Sequence, residues 1–287
     1  MLSKEVIKKI RQIEIATRRL LSGSYVGDYS SAKKGAGFEF DQIREYQLGD
    51  DVRFIDWKSS ARSNKLLVKQ YIEERNRSVI LAVDMSASSF YGSSKQIKFD
   101  VLSEIAAVLS LVADYGKDQA SLLLFTDEVE LFIPPGRGRK HIHKIMENLF
   151  SFAPVHKKTN IDSALDRLAK LNRRDSIVFL LSDFVGDVSP KKLSVVSKLY
   201  DLVAIRCLDK NEQALANVGF INVEDIETGE PVLLDSRGSK QVNKFLQKRL
   251  VQQENTFKKY GIDFLDVSPG KSFIGDVILF FRRRMMY

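Results

Sequence analysis

A single cysteine among 287 residues means that no disulfide can form within this chain. That residue, Cys207, lies in the strand-like run Leu202 to Leu208 and reads as a small packed hydrophobe, not a nucleophile. Histidine is nearly as scarce. His141, His143 and His156 are the three, and no His-Glu-x-x-His spacing joins any of them, so zinc hydrolysis lacks its nitrogen ligands. There is no Gly-x-Ser-x-Gly elbow from which a serine hydrolase could start. There is no Gly-x-x-x-x-Gly-Lys-Ser/Thr phosphate loop either, so any ATP-driven work must come from another chain. Long apolar runs are also missing. The longest uncharged stretch that is almost wholly apolar, Ile105 to Ala113, falls well short of the about 20 residues that a membrane-spanning helix needs. The opening Met1-Leu-Ser-Lys-Glu-Val-Ile-Lys-Lys mixes acids with bases and lacks the apolar core of a signal peptide. These absences predict a soluble, cytoplasmic protein with no transmembrane segment.

What the chain does have is material for a core. Hydrophobic residues make up 44%, enough for one large or two modest domains. Lys and Arg outnumber Asp and Glu by 45 to 37, a formal charge of +8. Half of that excess lies at the start, where Lys4, Lys8, Lys9, Arg11, Arg18 and Arg19 oppose only Glu5 and Glu14. Val6, Ile7, Ile10, Ile13 and Leu20 recur there at roughly helical spacing, which predicts a basic amphipathic helix. Such a helix either packs on its own domain with a solvated basic face, or docks on an acidic partner, an anionic membrane surface or nucleic acid. Arg137 to Lys144 and Arg282 to Arg284 are further basic clusters. None interleaves aromatics into a stacking platform, so no specific nucleic-acid binding is expected, and peripheral membrane contact is only weakly supported.

Hydrophobic periodicity organises the rest. Ser22 to Gly37 reads as a loop or arm, and Phe38 to Glu74 as extended strands and turns, with Arg53, Asp56 and Arg62 forming an ion-pair cluster by Trp57. From Ser78 onward, strands at 78–84, 119–126, 129–133, 176–182 and 201–208 alternate with helices near 95–115, 138–150, 161–172 and 190–199. Alternation at these lengths predicts a mostly parallel sheet with helices on both faces, and an antiparallel edge pair turning at Thr126-Asp-Glu128. Phe220 to Ile226 and Pro231 to Asp235 read as an inserted hairpin. A helix at 240–260, a strand at 263–267 and a helix at 273–284 follow.

Chemistry concentrates where the first of these strands ends. Asp84-Met-Ser-Ala-Ser88 comes directly after the apolar run Ser78 to Val83. In open α/β sheets, ligands sit in the crevice beyond the carboxyl ends of the strands. Alone, the pattern is equally a turn or a helix N-cap. Two further residues sharpen it. Thr159 stands in the loop feeding the 161–172 helix, where its hydroxyl could cap the helix or bind an ion. Asp183 ends strand 176–182 as Asp84 ends its own. Asp84, Ser86, Ser88, Thr159 and Asp183 are therefore the candidate metal ligands. Their hard oxygens suit Mg²⁺, Mn²⁺ or Ca²⁺ better than Zn²⁺ or Cu²⁺.

In that order, Asp-x-Ser-x-Ser, a loop Thr and a strand-terminal Asp resemble the metal-ion-dependent adhesion site (MIDAS) of von Willebrand factor A domains. The resemblance implies that the Ser and Thr hydroxyls bind the ion, that the carboxylates act directly or through water, and that one position stays open for a partner's acidic group. Arg44-Glu-Tyr46, Gly49-Asp-Asp-Val-Arg53, Ile55-Asp-Trp57 and Ala61-Arg62 resemble the signature of the bacterial family known as domain of unknown function 58. This implies a von Willebrand A-like, doubly wound α/β fold: a mostly parallel sheet, helices on both faces, one antiparallel edge strand, and an N-terminal segment. Residues 1–75 would hold the basic helix and the family-specific segment. Residues 76–287 would form the von Willebrand A-like domain, with the hairpin insertion near 219–235. A MoxR-type AAA+ ATPase, or a client protein offering an acidic residue, is the implied partner.

The expected function is thus a non-enzymatic, Mg²⁺-dependent interaction module, an adaptor or co-chaperone of such an ATPase. The rival is a Mg²⁺-dependent phosphatase with Asp84 as nucleophile. Phosphatases of that kind need a second aspartate two residues later as general acid, and position 86 is serine.

Overall fold

The computed structural model describes residues 8, 10–13, 34–35, 39–72, 78–93, 95–173, 176–214, 217–224 and 231–285. They divide into a larger unit, residues 1–20 and 77–287, and a smaller one, residues 21–76. The expected boundary at 75/76 is therefore corrected for the first residues. Ile10 and Ile13 are buried in the core of the larger unit, while Lys8 and Arg11 stay exposed. Apolar burial draws this helical turn to the larger unit and leaves its basic face to water. Most of the expected basic helix, and the arm from Ser22 to Gly37 apart from Lys34–Gly35, lie outside the described residues.

The smaller unit is a three-stranded antiparallel sheet of β1 (Lys34–Gly35), β2 (Glu39–Glu45) and β3 (Leu67–Ile72), with β3 in the centre. The sequence predicts only strands and turns here, yet Trp57–Ser63 is a helix, α1. Asp56 starts it by accepting the Lys58 and Ser59 amides at 3.1 Å each, and Asn64 closes it in the left-handed region at φ 55°. Arg44 pairs with Asp50 and Arg53 with Asp51, both at 2.6 Å, Asp56 pairs with Lys69 at 3.7 Å, and Lys65 pairs with Glu45. The expected grouping of Arg53, Asp56 and Arg62 is not among these pairs, and Trp57 is 67% exposed.

In the larger unit, β4 (Ser78–Asp84), β5 (Gln119–Phe125), β6 (Val129–Gly136), β7 (Ser176–Ser182) and β8 (Asp201–Cys207) carry the main sheet. β9 (Phe220–Glu224) and β10 (Pro231–Asp235) form the expected hairpin as a separate two-stranded sheet. β11 (Asp263–Val267) completes a six-stranded order β11-β8-β7-β4-β5-β6. All neighbours are parallel except β5 and β6. Pro134 and Pro135 lie in β6, at the edge, where a missing amide costs the sheet nothing.

Every residue of β4 is buried, and the strand feeds both layers by simple alternation. Val79, Leu81 and Val83 join one core with α2 (Lys98–Tyr115), α3 (Arg139–Ser151) and partly buried residues of the last helix. Ile80 and Ala82 join the other with α4 (Ile161–Leu171), α5 (Pro190–Leu199) and Phe257 of the long helix at Ser239–Lys259. Each large aliphatic side chain so buried contributes on the order of 1.5–3 kcal/mol. A well-packed frame therefore holds the carboxyl ends of β4 and β7 next to each other. This is the mostly parallel α/β sheet with one antiparallel edge strand that the sequence predicts.

Candidate metal centre

The five candidate residues all sit at the carboxyl edge of β4 and β7, and four are buried. Asp84 and Ser86 have no exposed surface, and Ser88 and Asp183 have 5% and 2%. The loop after β4 turns because Asp84 Oδ1 accepts the Ser86 amide at 2.9 Å. It is then tied to the segment before α4, where the Ala87 amide donates to the Lys157 carbonyl at 2.8 Å. Glu130 steadies that segment by accepting the Val155 amide at 2.7 Å and the His156 amide at 3.0 Å. Thr159 is thereby brought to the serines. Ser86 Oγ lies 3.1 Å from Ser88 Oγ, and Ser88 Oγ lies 3.4 Å from Thr159 Oγ1. Oxygens about 2.0–2.1 Å from an octahedral Mg²⁺ stand about 3 Å from their neighbours. The three hydroxyls thus have the spacing of adjacent ligands around one hard cation.

The two carboxylates differ. Asp84 Oδ2 accepts the Ser182 hydroxyl at 2.6 Å, so both of its oxygens are engaged. Burial first, and then the charge of Asp183, push its carboxyl up to about 7, against the pull of Ser182 and Ser86. A cation bound beside it would favour the ionised form. Asp183 gives Oδ1 to the Val185 amide at 3.1 Å and Oδ2 to the Lys98 ammonium at 2.7 Å. Between them Phe184 is held at φ 54°, a conformation that costs an aromatic residue on the order of 1 kcal/mol or more. Its ring packs edge-on to Phe257 at 5.3 Å, its amide donates to Ser182 Oγ at 3.0 Å, and its carbonyl accepts Gln253 Nε2 at 2.7 Å. These contacts hold the turn that aims Asp183.

Sequence reasoning missed Ser182, Lys98 and Glu212. Ser182 is the side chain that links β7 to Asp84. Lys98 is wholly buried, with its ammonium 2.7 Å from Asp183 and 2.6 Å from Glu212 on the short helix α6 (Lys210–Gln213). Burial alone would lower the pKa of the ammonium, but the two carboxylates outweigh that and hold it above its ordinary value. One signal was legible. A lysine opening a helix sits at the wrong end of the helix dipole and needs a reason to be there. Among the described residues, no three His, Cys, Asp or Glu side chains cluster as a metal-ligand set. A centre here would be built mainly of hydroxyls, and such a donor set fits a hard cation. Cys207 is buried, and burial pushes its thiol up to about 12, in keeping with a packing role.

Fold and site together define an open α/β domain with a hydroxyl-rich oxygen cluster in the crevice at its strand ends. The chain belongs to the family described as Protein of unknown function DUF58, which it matches over residues 42–256. The uncharacterized protein Rv1480 of Mycobacterium tuberculosis is 26% identical over 285 residues, covering 96% of this chain and 88% of that one. Similar solved structures include an aerotolerance-related membrane protein from Bacteroides fragilis (12% identity, TM-score 0.46, 72% of this chain and 98% of that one). The VWA domain of SpRpn10 is another (12%, 0.39, 70% and 93%). A third is the manganese-loaded TRAP protein of Plasmodium vivax (22%, 0.33, 46% and 57%).

The cytoplasmic expectation is corrected by these comparisons, because one of the similar structures is of a membrane protein. Among the described residues, no helix is long and apolar enough to cross a membrane. The lack of an apolar run bears on whether these residues span a bilayer and says nothing of the compartment, so it could not carry the cytoplasmic expectation.

Proposed function

We propose that this chain is a metal-ion-dependent protein–protein interaction module that captures a carboxylate of its partner. The carrying observation is the chain of three hydroxyls, Ser86, Ser88 and Thr159, spaced at 3.1 and 3.4 Å, at a sheet edge where two buried aspartates end their strands. Ser86, Ser88 and Thr159 would hold a Mg²⁺, Mn²⁺ or Ca²⁺ ion, with Asp84 and Asp183 supplying charge directly or through water. The ion would supply an electrophilic position that a Glu or Asp of the partner completes. Ser182 keeps Asp84 aimed, and the Glu130-braced segment keeps Thr159 within reach of Ser88. The MoxR-type AAA+ ATPase implied by the sequence resemblance, or a client of it, is the proposed source of that carboxylate, and the chain acts as its adaptor.

The reading is non-enzymatic. Asp84 is an unfavourable nucleophile, since it is fully buried with both oxygens hydrogen-bonded, and residue 86 offers a hydroxyl where a general acid would stand. The test is calorimetric titration of Mn²⁺ and Mg²⁺ into metal-stripped protein, with a parallel assay of ATPase binding. Saturable binding that weakens roughly 10–100-fold in Asp84→Asn and in Ser88→Ala is expected, together with loss of ATPase binding on chelation. Unchanged ATPase binding in Asp84→Asn would refute the mechanism, and phosphate release from model phosphomonoesters that disappears in the same variant would favour the phosphatase.

A further inference from the structure

Lys98 is a buried charged group at this carboxyl edge to which the proposed function gives no role. Its position is costly twice over. Burying an ammonium costs several kcal/mol unless it is well paired, and the first residue of an 18-residue helix lies where the helix dipole disfavours positive charge. The compensation is specific. The ammonium takes the Asp183 oxygen that the Val185 amide leaves over, at 2.7 Å, and reaches Glu212 Oε1 at 2.6 Å. Both oxygens of Asp183 are consequently engaged without a metal. The second seat is prepared as well. Glu212 lies on α6, and Asp209 at the start of α6 accepts the Asn211 amide at 2.9 Å, the Ser93 amide at 2.9 Å and the Ser93 hydroxyl at 2.7 Å. The Glu212 side chain is 32% exposed, whereas that of Asp183 is fully buried. Lysine suits a mobile role better than arginine would: it is a point charge on a flexible stem, not a planar fork locked to one partner.

We infer that Lys98 is a tethered internal cation that neutralises Asp183 and restrains divalent-metal binding at the hydroxyl cluster, shifting onto Glu212 when a metal ion draws on Asp183. The inference rests on the metal-dependent reading of this site. It makes metal affinity depend on the contest between Lys98 and the ion for one carboxylate oxygen. With Asp84, Asp183 and Glu212 ionised, the cluster still carries net negative charge after Lys98 is counted, so the lysine leaves room for a divalent ion while opposing it.

The sign of one measurement separates this role from a structural one. A lysine that merely braced the site would, once removed, loosen it and weaken metal binding, whereas a competing lysine, once removed, strengthens it. Metal-stripped wild type, Lys98→Met, Lys98→Met/Glu212→Gln and Asp84→Asn are titrated with Mn²⁺, read by calorimetry and by the electron paramagnetic resonance of unbound Mn²⁺. The double variant frees Asp183 while leaving the net charge of the Lys98–Asp183–Glu212 trio unchanged. It also replaces a buried pair by neutral side chains, a change that folded proteins often accept. It decides the question even if Lys98→Met alone fails to fold. The expected result is Mn²⁺ affinity about tenfold or more above wild type in the double variant, the size of effect one close charge exerts on its neighbour. Equal or weaker affinity in the double variant, with saturable binding in wild type, overturns the role of Lys98 and leaves the metal site standing. Absence of saturable binding in every protein, up to millimolar Mn²⁺, overturns both.

Discussion

Arg206 and Lys98 are both fully buried cations of the larger unit, and they are held in opposite ways. Arg206 lies on β8 directly opposite Asp266 on β11 and grips it with two hydrogen bonds of 2.8 Å each. Its Nη1 donates to Gln253 Oε1 at 2.9 Å, and the Nη2 that serves Asp266 also reaches Glu254 Oε1 at 3.4 Å. Its acidic partners keep 39% and 32% of their side-chain surface exposed, so water shares the charge. Lys98 meets one carboxylate with no exposed surface and a second, Glu212, that is 32% exposed, and the sealed one belongs to the candidate metal site. A forked cation between half-exposed acids is a stitch between strands. A point charge on a sealed acid is a balance that another cation could upset. Burial and charge are alike in the two places; the shape of the cation and the exposure of its closest acid differ.

The comparison breaks or sharpens on three measurements. Lys98→Met in metal-free protein strands the Asp183 charge, so urea unfolding should show a loss of about 3–5 kcal/mol, largely recovered when Asp183→Asn is added. Arg206→Met should cost less, about 1–2 kcal/mol, because Asp266 and Glu254 can turn to water. Equal losses at the two sites would erase the distinction. The smallest effect concerns Asp209, which positions the helix that carries Glu212. Burial raises its carboxyl, but hydrogen bonds from the Ser93 amide and hydroxyl and from the Asn211 amide, with the charge of Lys98, more than offset this and hold it below its ordinary 3.8. A depressed folded pKa means stability that is present above the unfolded value and lost as pH falls through the folded one. The melting temperature of wild type should therefore drop more steeply than that of Asp209→Asn only below about pH 4. Parallel curves over that range would show that Asp209 does not brace this region in solution.

Much of the fold could be read in advance, for local reasons. Apolar β-branched runs ending in polar residues mark β4 and β7, and helical spacing in Ile161, Leu165 and Leu168 marks α4, because strand and helix periods differ and each buries its own face. The hairpin at β9 and β10 and the antiparallel edge at β6 were legible from their turns. Helix α1 was not, because its stability rests on the cap supplied by Asp56 and not on an apolar stripe. Nor was the attachment of Ile10 and Ile13 to the larger unit, since an amphipathic pattern names the face that is buried and not what buries it.

The candidate site divides along the same line. By itself the sequence determined which atoms are available: hard oxygens at Asp84, Ser86, Ser88, Thr159 and Asp183, each at a strand end or helix entry. Residue type and local periodicity suffice for that. Tertiary structure alone decided that Ser88 and Thr159, 71 residues apart, come within 3.4 Å, and that Asp183 faces an ammonium from a helix 85 residues earlier. Such pairings are set by the register of parallel strands and the packing of helices across them. A short-range sequence pattern carries no record of either.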